Sequence, residues 1–304
     1  MPDQACSAQQ LLSAGIRTTN SRQLYPTLHQ PADAGLPMLV IENALGKTVV
    51  ALQGAHVMSF QPAGQPEMLW ISPKTLLLDG TPIRGGIPLC LPWFGPGPDG
   101  KTMHGFARIK EWTVVVAERL ANGATRVVMQ LEGDASTSAL WPHAFLFRLE
   151  IEAGTALKMV MHVENRGTDP APLAFAFHTY FSVPDVSQAR VSGLDSTIYI
   201  DKMDSFARKP QHGEVTIDNI TDRIYLNVPD RQTIAAGTGT VAIESTAKCA
   251  VVWNAWSNDK NTPDLGEGNH VGYLCVERGD VADHALTLPP GGTYRAWMTL
   301  SAGV

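Results

Sequence analysis

Proline or glycine interrupts nearly every window of this chain that is long enough to hold a substantial helix: 21 prolines and 27 glycines are spread through 304 residues. A proline inside a helix costs about 3 kcal/mol and a glycine about 1 kcal/mol, so long helices are excluded and short strands are not. Runs rich in Val, Ile, Leu and aromatic residues occupy 48–52, 112–117, 125–131, 145–151, 157–163, 241–244, 251–253 and 294–300. Turn formers lie between them, among them Asn122-Gly123, Asn165-Arg166-Gly167, Gly237-Thr238-Gly239 and Pro289-Pro290-Gly291-Gly292. This spacing predicts an all-β fold, an antiparallel sandwich or barrel with few short helices. The best helical window is 7–14, with Ser7 as its N-cap. A doubly wound α/β sheet would need helices between its strands, and they are missing. With no internal repeat and no linker, the expected organisation is an N-terminal extension over 1–20 and a single β-sandwich or barrel domain over 21–304.

The charge balance, 23 Lys and Arg against 29 Asp and Glu, gives a net charge of −6 and contains no basic run, so nucleic acid is not an expected partner. No stretch approaches the roughly 18 apolar residues that span a bilayer, and the start of the chain lacks the basic and apolar regions of a secretory signal. Cys6, Cys90, Cys249 and Cys275 are far apart and form no C-x-x-C, which fits a reduced, cytoplasmic protein better than a disulfide scaffold or a zinc ribbon.

Several motifs fail on chemical grounds. Gly95-Pro96-Gly97-Pro98-Asp99-Gly100-Lys101-Thr102 matches a phosphate-binding loop letter for letter. Pro96 and Pro98, however, have no N–H to offer a phosphate, and the sequence that follows reads as loop and strand. The nine histidines include no H-x-H or H-E-x-x-H, so no metal site is expected, and no G-x-S-x-G elbow is present.

Polar residues in apolar or glycine-rich settings remain. Arg84 stands in Ile83-Arg84-Gly85-Gly86-Ile87-Pro88, and His104-Gly105-Phe106-Ala107-Arg108 spaces an imidazole and a guanidinium by four, on one face if the segment is extended. Such a set suits an anionic, hydroxyl-bearing ligand. His178 lies within Ala174-Phe175-Ala176-Phe177-His178-Thr179-Tyr180-Phe181, an aromatic run that reads as one strand, where a hydrogen-bonded core histidine is as good a reading as a catalytic one. Glu277 ends Tyr273-Leu274-Cys275-Val276-Glu277, where the alternative to catalysis is an ion pair with Arg278 or Arg295. Trp93, in a loop rich in Pro and Gly, is a candidate for lining a pocket, whereas Phe106 reads as core.

Gly54-Ala55-His56-Val57, Leu69-Trp70, the Arg84 segment, Pro92-Trp93-Phe94-Gly95, the His104–Arg108 segment, Phe177-His178-Thr179-Tyr180-Phe181, Thr221-Asp222-Arg223 and Cys275-Val276-Glu277 follow one another in this order. From about residue 39 to 300 the chain resembles the hexose-6-phosphate mutarotases, or glucose-6-phosphate 1-epimerases, of the aldose-epimerase superfamily. The resemblance implies the large antiparallel β-sandwich of the galactose-mutarotase type. It implies interconversion of the α and β anomers of a hexose 6-phosphate, with His178 as general acid and Glu277 as general base. It further implies that His104 holds the sugar, that Arg84 and Arg108 clamp the 6-phosphate, and that Asp222 binds sugar hydroxyls. No cofactor is implied, and the expected partner of a monomer is the small sugar phosphate alone. Ala255 and Met103 depart from the family's usual residues and bear on sugar preference. The alternatives are an aldose 1-epimerase on free sugars, a sugar-phosphate binding protein without turnover, and, less well supported, a polysaccharide lyase or hydrolase on a related sandwich.

Overall fold

The computed structural model describes residues 4–32, 34–98, 100, 102–237 and 239–303. Each apolar run picked out in the sequence lies within or almost within a strand, and the strands extend one or two residues further. Phe145–Ala153 shows why: Phe145, Phe147, Leu149 and Ile151 are buried and alternate with the half-buried Arg148, Glu150 and Glu152. One face is therefore committed to the interior.

Among the described residues, the strands assemble into two large antiparallel sheets. A nine-stranded sheet has Val215–Thr216 and Thr113–Arg119 at its edges and Phe145–Ala153, Leu157–Asn165 and Thr293–Ala302 within it. An eight-stranded sheet runs from Ala207–Pro210 through Ile198–Asp201, Thr221–Leu226, Cys249–Asn254 and Tyr273–Asp280 to Phe175–Phe177 and Leu89–Cys90. Phe147, Leu149 and Met159 of the first sheet share one core with Phe177, Val252, Leu274 and Val276 of the second. This is the sandwich that the turn chemistry and the resemblance both led us to expect.

The segment before residue 21, read from the sequence as an extension, takes part in this structure. The helix Ala8–Ser13 starts at Ser7 with a capping box closed by Gln10, as its sequence suggested. Ile16–Asn20 then pairs with Pro37–Asn43 in a four-stranded sheet, from Ile16 opposite Ile41 to Asn20 opposite Pro37. Leu11 and Ile16 are buried in the main core.

The eight-stranded sheet positions the site. Along Tyr273–Asp280 the side chains of Leu274 and Val276 enter the sandwich core, while Tyr273 and Cys275 belong to a separate cluster on the outer face. Glu277 follows the outward parity and Arg278 the inward one. Arg278 is fully buried, and its guanidinium donates to the carbonyl oxygens of Asp230 (3.1 Å), Cys249 (3.3 Å), Ser245 (3.4 Å) and Ala247 (2.7 Å) and to the Gln232 side chain. The ion pair between Glu277 and Arg278 considered above does not form.

The segment 104–108, whose two side chains would share a face if it were extended, is a tight turn. His104 and Gly105 have φ of 61° and 73°, and Ala107–Ile109 is one turn of 3-10 helix. Gly105 is required there, because a Cβ would lie 1.9 Å from the Leu91 carbonyl oxygen. We expect Gly105→Ala to destabilise the fold by about 2–4 kcal/mol, the combined cost of a left-handed backbone and a clash in packed surroundings. Urea unfolding checks this; a loss below about 1 kcal/mol would mean that the turn re-forms without strain.

Candidate active site

His178 and Glu277 are brought together by strand pairing. Phe177 pairs with Arg278 and Tyr180 with Cys275, so the register on either side places position 178 opposite 277. The aromatic run expected to be one strand is in fact two, Phe175–Phe177 and Tyr180–Ser182. Between them the His178 amide donates to the Pro88 carbonyl at 2.9 Å, which takes the backbone off the ladder. The imidazole Nε2 lies 3.3 Å from Glu277 Oε1, with both side chains buried, and stacks on the Tyr180 ring at 4.9 Å.

Burial decides the charge state of this pair. It pushes the Glu277 carboxyl well above the usual carboxylate range, with nearby Asp222 adding to the effect. It pushes His178 well below the usual imidazole range, assisted by His104, Arg84 and Arg108. The pair therefore holds one proton between two groups that both resist charge. His178 Nδ1 and Glu277 Oε2 are buried without hydrogen-bond partners. Orphaned polar atoms of this kind mark a place where a ligand's hydroxyls can complete the bonding.

The cations come from the loops above the sheet. Arg84 is held in place by its backbone N–H, which donates to Thr75 Oγ1 at 2.7 Å, and the following Gly85 and Gly86 adopt φ of 109° and 63°. The buried His56 donates from Nε2 to the Gly85 carbonyl at 2.8 Å and so supports the same turn. Arg108 donates from Nη2 to the Met103 carbonyl at 2.6 Å, and its buried Nε has no partner. His104 accepts the Gly95 N–H on Nδ1 at 3.2 Å, which leaves Nε2–H as a donor. Burial, with the cations Arg108, Lys202 and Arg84, pushes its pKa down to about 3, so it is neutral.

Asp222 lies on the strand Thr221–Leu226, opposite Trp253. Burial raises its pKa against the pull of Lys202, whose Nζ is 2.6 Å from Asp222 Oδ2. Arg84, His104, Arg108, His178, Asp222 and Glu277 together line one cavity of about 250 Å³. Trp93 is not among its lining residues. Its indole N–H donates to the Thr102 carbonyl at 3.0 Å and its ring meets Phe106 edge-on, so it braces the loop beneath, while its neighbour Phe94 faces the cavity. Met103 also lines the cavity, whereas Ala255 is buried against the Tyr273 hydroxyl.

Three contributors were not visible in the sequence: Lys202, Trp253 and, through Arg84, Asp264. Arg84 donates from Nε to Asp264 Oδ2 at 2.9 Å and from Nη1 to the Tyr180 hydroxyl at 2.9 Å. Burial alone would lower its pKa, but Tyr180 and Asp264 outweigh it and raise the value. The loop 95–102 that resembles a phosphate-binding sequence opens no helix, and Asp99 and Lys101 within it lie outside the described residues. A larger groove of about 550 Å³ lies on the outer face of the nine-stranded sheet, but its Arg126 is already paired with Glu118 and Glu150. No group of three or more metal-ligating side chains exists among the described residues, and none of their helices is long and apolar enough to cross a membrane.

A buried imidazole and carboxyl in contact, with cations and hydrogen-bond donors lining the same cavity, can exchange protons with a polar ligand. Residues 37–301 match the family described as aldose 1-epimerase. A relative from Escherichia coli, assigned as a glucose-6-phosphate 1-epimerase, is 34% identical over 84% of this chain and 87% of its own length. Another from Cenchrus ciliaris with the same assignment is 32% identical over 88% of this chain and 85% of its own. The crystal structure of YeaD from Salmonella typhimurium, described as a mutarotase, superposes with a TM-score of 0.82 at 28% identity, covering 88% of this chain and 90% of that one. The chain belongs to the aldose 1-epimerase family and is an isomerase.

The buried carboxyl should reveal itself in stability. Its folded-state pKa is raised, so its contribution is fully present below the unfolded carboxylate range and is lost as pH rises through the folded value. Glu277→Gln does not titrate, so its melting temperature should gain on that of the native protein as pH rises from about 4.5 upward. Parallel melting curves against pH would show no such divergence if Glu277 had an ordinary pKa.

Proposed function

We propose that this epimerase acts on aldose 6-phosphates, interconverting the α and β anomers of glucose 6-phosphate and similar hexose 6-phosphates. The observation that carries the reading is the contact between His178 and Glu277 in the same cavity as Arg108, a guanidinium with no carboxylate partner among the described residues and a buried, unpaired Nε. A neutral sugar has no use for that buried charge, whereas a phosphate does. The assignments of the two relatives as glucose-6-phosphate 1-epimerases support the same substrate.

In the proposed reaction Glu277 is the base and His178 the acid. The anomeric O1–H donates to the carboxylate, and the unpartnered Oε2 is available to receive it. That bond favours the charged carboxylate and draws the shared proton toward His178, against the preference that burial sets. The carboxylate takes the O1 proton, the C1–O5 bond breaks, and the imidazolium gives its proton to O5, leaving an aldehyde at C1. Rotation about C1–C2 presents the other face. O5 then attacks C1, His178 recovers the proton from its hydroxyl, and Glu277 returns a proton to O1. Both groups end as they began, so the cycle requires no cofactor. His104, with Nε2–H free to donate, and Asp222 are suited to sugar hydroxyls. Arg84 and Arg108 are suited to the phosphate. Three buried free thiols, Cys90, Cys249 and Cys275, support a reducing, cytoplasmic setting.

Magnetisation-transfer NMR of anomer exchange tests this directly. Glu277→Gln and His178→Asn should each lower kcat by about 10²-fold or more, because each removes a positioned proton transfer. Arg84→Ala and Arg108→Ala should mainly raise KM for glucose 6-phosphate. Equal kcat/KM for glucose and glucose 6-phosphate would instead identify an epimerase of free sugars, and saturable binding without acceleration would identify a binding protein.

The protonation states set the pH dependence. Turnover needs one proton on the pair, and at low pH it is lost when His178 takes a second. Because that imidazole is held well below the usual 6.5 in the free protein, the acid limb of kcat/KM should lie well below 6.5. A limb at or above 6.5, after subtraction of spontaneous mutarotation, would contradict the proposed environment of His178.

A further inference from the structure

We infer that Asp264 is a positioning residue that sets the Arg84 guanidinium for the substrate's phosphate, an inference that rests on the phosphate reading above. Arg84 does not wait in the pocket as a free side chain. Asp264 takes its Nε and Nη2 edge, with Nε to Oδ2 at 2.9 Å, Nη2 to Oδ1 at 3.2 Å and Nη2 to Oδ2 at 2.9 Å. Tyr180 accepts from Nη1 at 2.9 Å. A guanidinium has five N–H donors, and two carboxylate bonds and one phenol bond leave two, one on each terminal nitrogen. Those two remain for a phosphate, since Arg84 lines the cavity with its other donors already engaged.

The carboxylate is itself held. Asp264 follows the 3-10 turn Trp256–Asn261, in a loop that carries no strand pairing of its own. Its backbone carbonyl accepts from the buried Ser72 hydroxyl at 2.6 Å, and Ser72 Oγ also lies 3.2 Å from the Leu265 carbonyl. The Ser72 amide in turn donates to the Arg84 carbonyl at 3.1 Å, and the Arg84 amide to Thr75 Oγ1. One short turn, 72–75, thus fixes the backbones of both partners, and the side chains meet in one orientation. The pair is about one-quarter exposed on both sides, so water can compete for it, and the anchoring rather than Coulombic strength is what keeps its geometry.

Neutralising Arg84 also has a consequence for selectivity. Asp264 offsets Arg84 and Asp222 offsets Lys202, so Arg108 is the one cation lining the cavity, among the described residues, without a carboxylate in contact. In this arrangement Arg108 supplies most of the attraction and Arg84 supplies direction.

The test compares Asp264→Asn, Asp264→Glu and the native enzyme by anomer-exchange NMR, on glucose 6-phosphate and on glucose. Asp264→Asn should raise KM for glucose 6-phosphate about ten-fold with kcat nearly unchanged, since it replaces one charge-assisted contact by a neutral one. The exchange rate on glucose should stay within about two-fold of native, and Asp264→Glu should recover part of the lost affinity. A lower KM in Asp264→Asn would overturn the inference, because the carboxylate would then be a competitor for the phosphate site. An equal loss of kcat on both sugars would also overturn it, marking a general structural role. If the native enzyme itself shows no preference for the phosphorylated sugar, the substrate reading fails, a result separate from either of these.

Discussion

Neighbouring antiparallel strands bring side chains from distant parts of the chain within hydrogen-bond reach on one face of a sheet. Here that constraint joins position 178 to position 277, and the cavity is built around it. The ladder must break locally for the imidazole to turn toward the carboxylate, and the Pro88 carbonyl, by accepting the His178 amide, lets it break without leaving a buried donor unpaired. The loops carrying Arg84, His104 and Arg108 then have a fixed floor to close over. Glycines at 85, 86 and 105, each at positive φ and each within a van der Waals contact of another backbone, allow the approach.

Electrostatics follow from the same placement. A carboxyl and an imidazole on a solvated surface would form an ordinary ion pair. Buried together they resist separate charges, and their shared proton becomes easy to redirect by whatever hydrogen-bonds to either one. The neutral His104 and the paired Arg84 keep the surroundings from forcing the outcome. Membership of the aldose 1-epimerase family and this arrangement point the same way, although each rests on different observations.

Much of this was legible in the sequence, and the gaps have physical causes. Strands such as Phe145–Ala153 and Leu157–Asn165 declare themselves because one face is apolar at period two and because proline and glycine prohibit the competing helix. His178 and Glu277 stood out as titratable groups inside apolar runs. Lys202 and Asp264 did not, since a charged residue at a strand end or in a loop looks like solvated surface until the fold supplies its partner. Trp93 and Phe94 show the limit at the scale of a single residue: composition marked the loop, but which of two adjacent aromatics turns inward depends on a backbone path that no local pattern encodes. His104–Arg108 failed in the same manner, because Gly105 permits a left-handed turn that spacing alone does not reveal.

Glu277 and Arg278 are consecutive residues on opposite faces of one strand. Sliding that strand by a single position would thrust the carboxyl into the hydrocarbon interior and strip the guanidinium of the carbonyls from 230, 245, 247 and 249 that surround it. Each residue thereby vetoes the misaligned sheet on behalf of the other. The buried arginine acts as a locating pin, keeping the carboxyl that contacts His178 at the depth of the cavity.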